Sequence, residues 1–414
     1  MRVLSDEERI KILSDIVSIK TVNSNELEVA QYLEKLFNRY GIRSHIDTVT
    51  DGRANLIATV GSSQPVIGIS GHMDVVSEGN HDHWTYDPFT LTEDQGYLYG
   101  RGAADMKSGL AALAIALIEI KESGKLTQGT IKFMATVGEE MEQSGSQQLF
   151  EKGYADDLDA LLIAEPSFPS LVYAHKGSMD FRIKSKGRAS HSSIPFLGQN
   201  AIKPLLEFIQ NINQEYEKIM QTVKGESLDF SNMINKLENQ LPNHITKEKA
   251  QELIQGLVMT NSIVQGGTQV NSVPDFATAE FNVRTIPEYN NNKVKALFNK
   301  YVEQANHNGA SLTQELYLDL EPVVTTGQNR LVELGFDIAK SHFSNERDLI
   351  ITPTVAVTDA SNLLKGKDEN FPFLMFGPGN GPHQINECVE KANYLEFVEY
   401  YIEFITSYLN EENE

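Results

Sequence analysis

The residues best suited to chemistry are two histidines and a set of carboxylates that follow apolar, strand-like runs. In Ser70-Gly71-His72-Met73-Asp74 the histidine and the second acid are two apart. Extended backbone points them to the same side, so an aspartate could hold one imidazole nitrogen while the other binds a metal. Taken alone, such a pair is more often a surface hydrogen bond. Gly138-Glu139-Glu140 follows Phe133-Met134-Ala135-Thr136-Val137. Adjacent carboxylates on extended backbone face opposite ways, so one can ligate a metal while its neighbour moves a proton. A solvated acidic turn is the plainer reading, since Glu142 follows. Glu165 comes after Leu161-Leu162-Ile163, and His383 after Phe376-Gly377-Pro378-Gly379. Gly100-Arg101-Gly102-Ala103-Ala104-Asp105 nearly spells a dinucleotide fingerprint, but Asp105 sits at the third glycine position and would repel a pyrophosphate. An N-cap is the ordinary use of such an aspartate.

Each of these five places has an innocent explanation. One joint explanation covers them all, because each lies at the end of a strand candidate, where open α/β sheets gather their ligands. Two histidines and three carboxylates suit a pair of borderline divalent cations. Asp105, Glu140 and Glu165, all ionised, would leave two such ions one net positive charge, available to polarise a carbonyl and ionise a water. Competing chemistries lack their parts: there is no Gly-x-Ser-x-Gly elbow, His-Glu-x-x-His helix, Cys-x-x-Cys or phosphate loop.

The elements that must position these residues alternate. Strand candidates Asn55–Val60, Val66–Ser70, Thr130–Val137 and Leu158–Ala164 are separated by helices over Ser108–Glu122 and Ser146–Lys152. Such spacing predicts an α/β domain with a largely parallel sheet. From about Gly177 the order becomes strand, long helical stretch, two strands, helix, strand, which is the βαββαβ order of a ferredoxin-like unit. Runs at Ile350–Val357 and Phe373–Phe376 and a helix over Tyr394–Leu409 then return to the opening pattern. The expected division is a mixed, largely parallel sheet domain over residues 1–178 and 321–414, with residues 179–320 inserted. The polar stretch Gln214–Glu252 is expected to form broken helices because of Gly225 and Pro242.

A chain of 414 residues is long enough for two domains. Lysine and arginine number 35 against 57 acidic residues, a formal charge of −22, which argues against nucleic acid or an anionic membrane as partner. Cys388 is the single cysteine, so no internal disulfide or cysteine-based zinc cluster can form. The first residues lack the order of a secretory signal, and the most apolar stretch, Gly109 to Ile118, is too short to span a bilayer. A cytoplasmic location is therefore expected.

At these residues the sequence resembles the di-metal family of aminoacylases, carboxypeptidase G, acetylornithine deacetylase and succinyl-diaminopimelate desuccinylase, along essentially the whole chain. The resemblance implies two divalent ions, zinc first with cobalt or manganese as alternatives. His72 and Glu165 would bind one, Glu140 and His383 the other, with Asp105 bridging them. It also implies that Asp74 orients His72, that Glu139 is the general base, and that the inserted domain is a lid and dimer interface. Gly187-Arg188-Ala189-Ser190-His191 resembles a segment whose histidine reaches the partner's active site in a homodimer. Asn271, Arg284 and Thr358 resemble substrate-side positions, and Arg284 at the end of a strand also suits a bidentate carboxylate clamp. Its ordinary alternative is a surface ion pair. Arg101 to Lys107 and Ile385 to Val389 are most similar to the desuccinylases, whereas Val355-Ala356-Val357 departs from their glycine-rich turn. The expected activity is hydrolysis of an N-acyl amide in a small amino-acid substrate. Acetylornithine deacetylase and metal-dependent dipeptidase are the rivals within the family, and a catalytically silent amino-acid or metal-binding protein the rival outside it.

Overall fold

Residues 2–343, 349–379 and 381–410 are described by the computed structural model, and their backbone contacts divide into two units. The first comprises Met1–Ala174, Thr325–Thr352 and Thr358–Glu414; the second comprises His175–Val324 and Pro353–Val357. These boundaries lie a few residues from the expected ones and add a short return segment to the second unit.

The first unit holds a sheet in the order Arg43–Thr50, Arg53–Gly61, Thr130–Thr136, Val66–His72, Ala160–Pro166, Phe373–Gly377, Ser170–His175, Ile350–Thr354. Its strands Thr130–Thr136, Val66–His72, Ala160–Pro166 and Phe373–Gly377 are neighbours and run parallel. All residues of Val66–His72 are buried, which fits a strand covered on both faces. Helix Lys107–Ser123 is buried from Lys107 through Ile120, so apolar residues all round its circumference mark a core element rather than a surface one. It stops at Gly124, whose φ of +65° supplies the left-handed C-terminal turn. Helix Lys391–Asn410 packs against it and against helix Arg330–Phe343, placing Phe397, Tyr400, Tyr401 and Phe404 in the same core. The Tyr401 hydroxyl donates to the Phe376 carbonyl at 2.7 Å, tying this helix to a ligand-bearing strand.

The second unit is a separate antiparallel sheet in the order Val258–Gly266, Phe276–Thr285, Gly177–Lys186, Leu312–Leu320. With its helices this is the ferredoxin-like arrangement expected. Strict burial alternation along Phe276–Thr285 turns one face onto helices Ile202–Thr222 and Asn291–His307, where Phe181 stacks on Phe298 at 4.1 Å. Between residues 214 and 252 the helix breaks after Thr222 and resumes as Ser231–Leu237 and Lys247–Gln255.

Two local expectations are corrected. Glu165 lies within strand Ala160–Pro166 rather than beyond it. Strand Thr130–Thr136 ends before Glu139 and Glu140, which sit in a turn opened by Gly138 at φ +70° instead of on extended backbone.

Candidate metal centre

The carboxyl ends of the four parallel strands carry, or lead directly to, the chemistry-bearing residues. His72 is the last residue of its strand, Glu139 and Glu140 follow the strand beside it, and Glu165 is the penultimate residue of the strand on its other side. His383 follows the strand after that. Asp105 enters from the loop ahead of helix Lys107–Ser123, whose N-cap is Met106 with no side-chain cap, so Asp105 is not spent on capping.

His72 Nδ1 lies 2.9 Å from the Asp74 carbonyl. A carbonyl only accepts, so Nδ1 carries the proton and Nε2 is left as the ligating nitrogen. Nε2 is 3.1 Å from Asp105 Oδ1 and 3.6 Å from Glu165 Oε1. His383, with φ +64°, brings its Nε2 to 3.0 Å from Glu140 and 3.3 Å from Asp105 Oδ2. Each oxygen of Asp105 thus faces a different histidine. Ligand atoms of His72, Glu139 and Glu165 all lie within 4.8 Å of one another, as do those of His72, Asp105 and Glu140. The Asp74 carboxylate stays 3.6 Å from His72 Nδ1 and accepts instead from the backbone N–H groups of Glu139 and Glu140, at 3.2 and 3.1 Å. It therefore locks the acidic turn to the end of the His72 strand.

Burial would push the His72 imidazolium down, but Glu165, Asp105 and Asp74 outweigh it and hold the ring well above its ordinary pKa. Hydrogen bonds to Asp105 and Glu140 raise His383 to about 10. Burial pushes the Asp105 carboxyl up, yet His383 and His72 outweigh it and lower its pKa. Glu139 is driven well above the carboxylate range by burial and by Glu165; Glu165 is driven up by burial, against His72 and with Asp105. Crowded acids that pull protons onto themselves and onto both imidazoles are a surplus of negative charge in a partly dry site, which divalent cations would neutralise. The hard-to-borderline O and N donor set fits such ions.

Other residues singled out in the sequence fall elsewhere. Thr358 is buried in the first unit, its Oγ1 accepting from Ala360 N–H, and neighbouring Asp359 accepts from Thr136 Oγ1 at 2.5 Å. Burial raises Asp359 to about 6. Arg284, His191 and Asn271 belong to the second unit. Arg284 is the penultimate residue of strand Phe276–Thr285; burial lowers His175 to about 4 and Lys176 to about 8, and the Arg284 charge adds to both shifts. His191 is exposed, with Nδ1 2.7 Å from Ser193 Oγ, and Ser192 N–H donates to the Asn271 carbonyl, so those two segments are neighbours.

Two residues at the cluster were missed. Glu387 is buried and accepts from the N–H groups of Gly102, Ala104 and Asp105 at 2.9–3.0 Å and from Arg101, fixing the Asp105 loop. Gln143 donates to Glu139 Oε1 at 2.8 Å. Glu387 lies in the Ile385 to Val389 segment whose likeness to the desuccinylases was legible, but nothing in the sequence gave it a role; Gln143 had no signal.

The profile of peptidase family M20/M25/M40 matches residues 68–407, and the chain belongs to that family. It is a metal-dependent hydrolase. A Staphylococcus epidermidis protein named probable succinyl-diaminopimelate desuccinylase is 44% identical over 99% of this chain and 100% of its own length. A Staphylococcus aureus protein of the same name is 43% identical with the same coverage. Among solved structures, an M20 family metallo-carboxypeptidase from Sulfolobus solfataricus superposes with TM-score 0.81 over 97% of this chain and 99% of its own at 20% identity, a likeness of fold. No described helix is long and apolar enough to cross a membrane.

Proposed function

We propose that this chain is a two-metal amidohydrolase that cleaves the amide of N-succinyl-diaminopimelate. The observation that carries the two-metal reading is Asp105, whose Oδ1 and Oδ2 face His72 and His383 respectively. His72 and Glu165 would hold one ion, Glu140 and His383 the other, and Asp105 would bridge; zinc suits this donor set, with cobalt or manganese as alternatives. When bound, the ions polarise the scissile carbonyl and acidify water. Glu139 takes the proton from the attacking water and returns it to the leaving amine nitrogen. A free base beside a full ligand set disfavours a silent binding protein, which has no use for one.

The names of the two staphylococcal relatives support the succinyl substrate. Arg284 would pair with a substrate carboxylate, with Asn271 and Thr358 as further substrate contacts. The second unit would serve as lid and homodimer interface, and His191 would reach the partner's site to donate to the developing oxyanion. A biosynthetic enzyme of this kind works in the cytoplasm. Purified, metal-loaded protein assayed against N-succinyl-diaminopimelate, N-acetylornithine and dipeptides tests the substrate: highest kcat/KM on the succinyl compound is expected. Much faster turnover of either rival would retire the substrate while leaving the mechanism.

A further inference from the structure

Glu139 is approached by a side chain whose own backbone is in an unfavourable state. Gln143, the residue ahead of helix Ser144–Glu151, has φ +54° and is fully buried. This left-handed region favours glycine or asparagine, and glutamine gains nothing there by capping, because its side chain makes no cap hydrogen bond. Its backbone is held at both ends: the N–H donates to Gly138 at 2.7 Å, and the carbonyl accepts from Ser146 Oγ at 3.1 Å and Asn362 Nδ2 at 3.4 Å. From this fixed base the side chain spans back to Glu139 and donates through Nε2 to Oε1 at 2.8 Å. Asparagine would suit the backbone better but ends one methylene short, and glycine offers no donor. A residue held against its backbone preference beside a reacting group is where strain is retained for function.

The chemistry of the contact is one-sided. A primary amide can donate to a carboxylate without exchanging a proton with it. This donor takes one lone pair of Oε1, which lowers its basicity relative to Oε2 and fixes the rotation of the carboxylate. Meanwhile Asp74 holds the Glu139 N–H. The backbone and one oxygen of the base are thus fixed by two different elements.

We propose that Gln143 is a positioning residue that pins Glu139 Oε1 and so selects Oε2 as the proton-accepting oxygen. The proposal rests on Glu139 being the base. The test compares metal-reconstituted wild type, Gln143→Asn, Gln143→Met and Glu139→Gln for kcat, KM, bound metal by inductively coupled plasma mass spectrometry, and Tm. Gln143→Asn should keep its metals and a Tm close to wild type, since asparagine's better fit to the backbone offsets part of the lost contact, while kcat falls about 10- to 100-fold, the worth of one charge-assisted hydrogen bond. KM should stay within about two-fold of wild type, because the lost contact acts on the base and not on bound substrate. Gln143→Met, of similar length without a donor, should show the same loss of kcat. Wild-type kcat in the metal-replete asparagine variant overturns the proposal. So does parallel loss of metal, Tm and activity in both Gln143 variants, which would make the role structural. If Glu139→Gln is inactive while Gln143→Asn is normal, only the positioning role fails; an active Glu139→Gln removes the base and the positioning role together.

Discussion

Two groups of buried charge in the first unit are built on opposite principles. Near the chain start, Arg9 is fully buried and pairs with Glu119 at 2.9 Å and Glu399 at 2.7 Å; Glu119 also accepts from Val3 and Leu4 N–H. Burial pushes the Glu119 carboxyl up, but Arg9 and those two N–H groups outweigh it and hold it below its ordinary value. Every charge there has its partner within the chain. At the carboxyl ends of the parallel strands, Asp105, Glu139, Glu140 and Glu165 converge on two histidines, and the carboxyls of Glu139 and Glu165 are pushed toward the neutral state. A closed ion pair fastens elements together, whereas an open, over-acidic cluster is completed by something the chain does not encode. Burial of charge alone does not distinguish structure from function; the local balance of charge does.

The largest expected effect sharpens that contrast. Glu139→Gln should keep its metals and lose about 10²–10⁴-fold in turnover, measured by kcat alongside metal content. Arg9→Met should leave kcat of the folded enzyme unchanged yet cost about 3–5 kcal/mol of stability in denaturant unfolding, because Glu119 stays buried without its counter-charge. A Tm drop on chelation in wild type, retained in Arg9→Met, would keep the two sites independent; metal held at a thousand times its Kd contributes about 4 kcal/mol. Arg284→Ala should lower kcat/KM about 10- to 100-fold on carboxylate-bearing substrates, and a silent substitution would remove the clamp.

The smallest effect is in pH. The folded pKa of Glu119 is depressed, so its contribution to stability is complete above the ordinary carboxylate value of 4.5 and disappears as pH falls through the lower folded value. The stability gap between wild type and Arg9→Met should therefore narrow on acidification, read from unfolding at pH 7 and again below 4.5.

Legibility in the sequence tracked how local each determinant is. The parallel strands were readable because both their faces are buried, giving apolar runs, and His72, Glu165 and His383 follow from those runs. Arg43–Thr50 escaped because an exposed edge strand is largely polar, and the small sheet of Thr92–Asp94, Tyr97–Tyr99 and Cys388–Glu390 because three-residue strands pair across distant sequence. For the paired Glu139 and Glu140 the sequence left extended backbone and an acidic turn both open, since Gly138 suits either, and the structure has the turn. Glu387 and Gln143 act through contacts to backbone and to a neighbouring acid, which no periodicity records.

Calorimetric titration of zinc into metal-free protein tests directly whether one aspartate, Asp105, serves two ions. Wild type should saturate at two ions per chain, and Asp105→Ala should weaken both binding events, whereas His383→Ala should weaken mainly one. Saturation at a single ion with full hydrolytic activity would contradict the account.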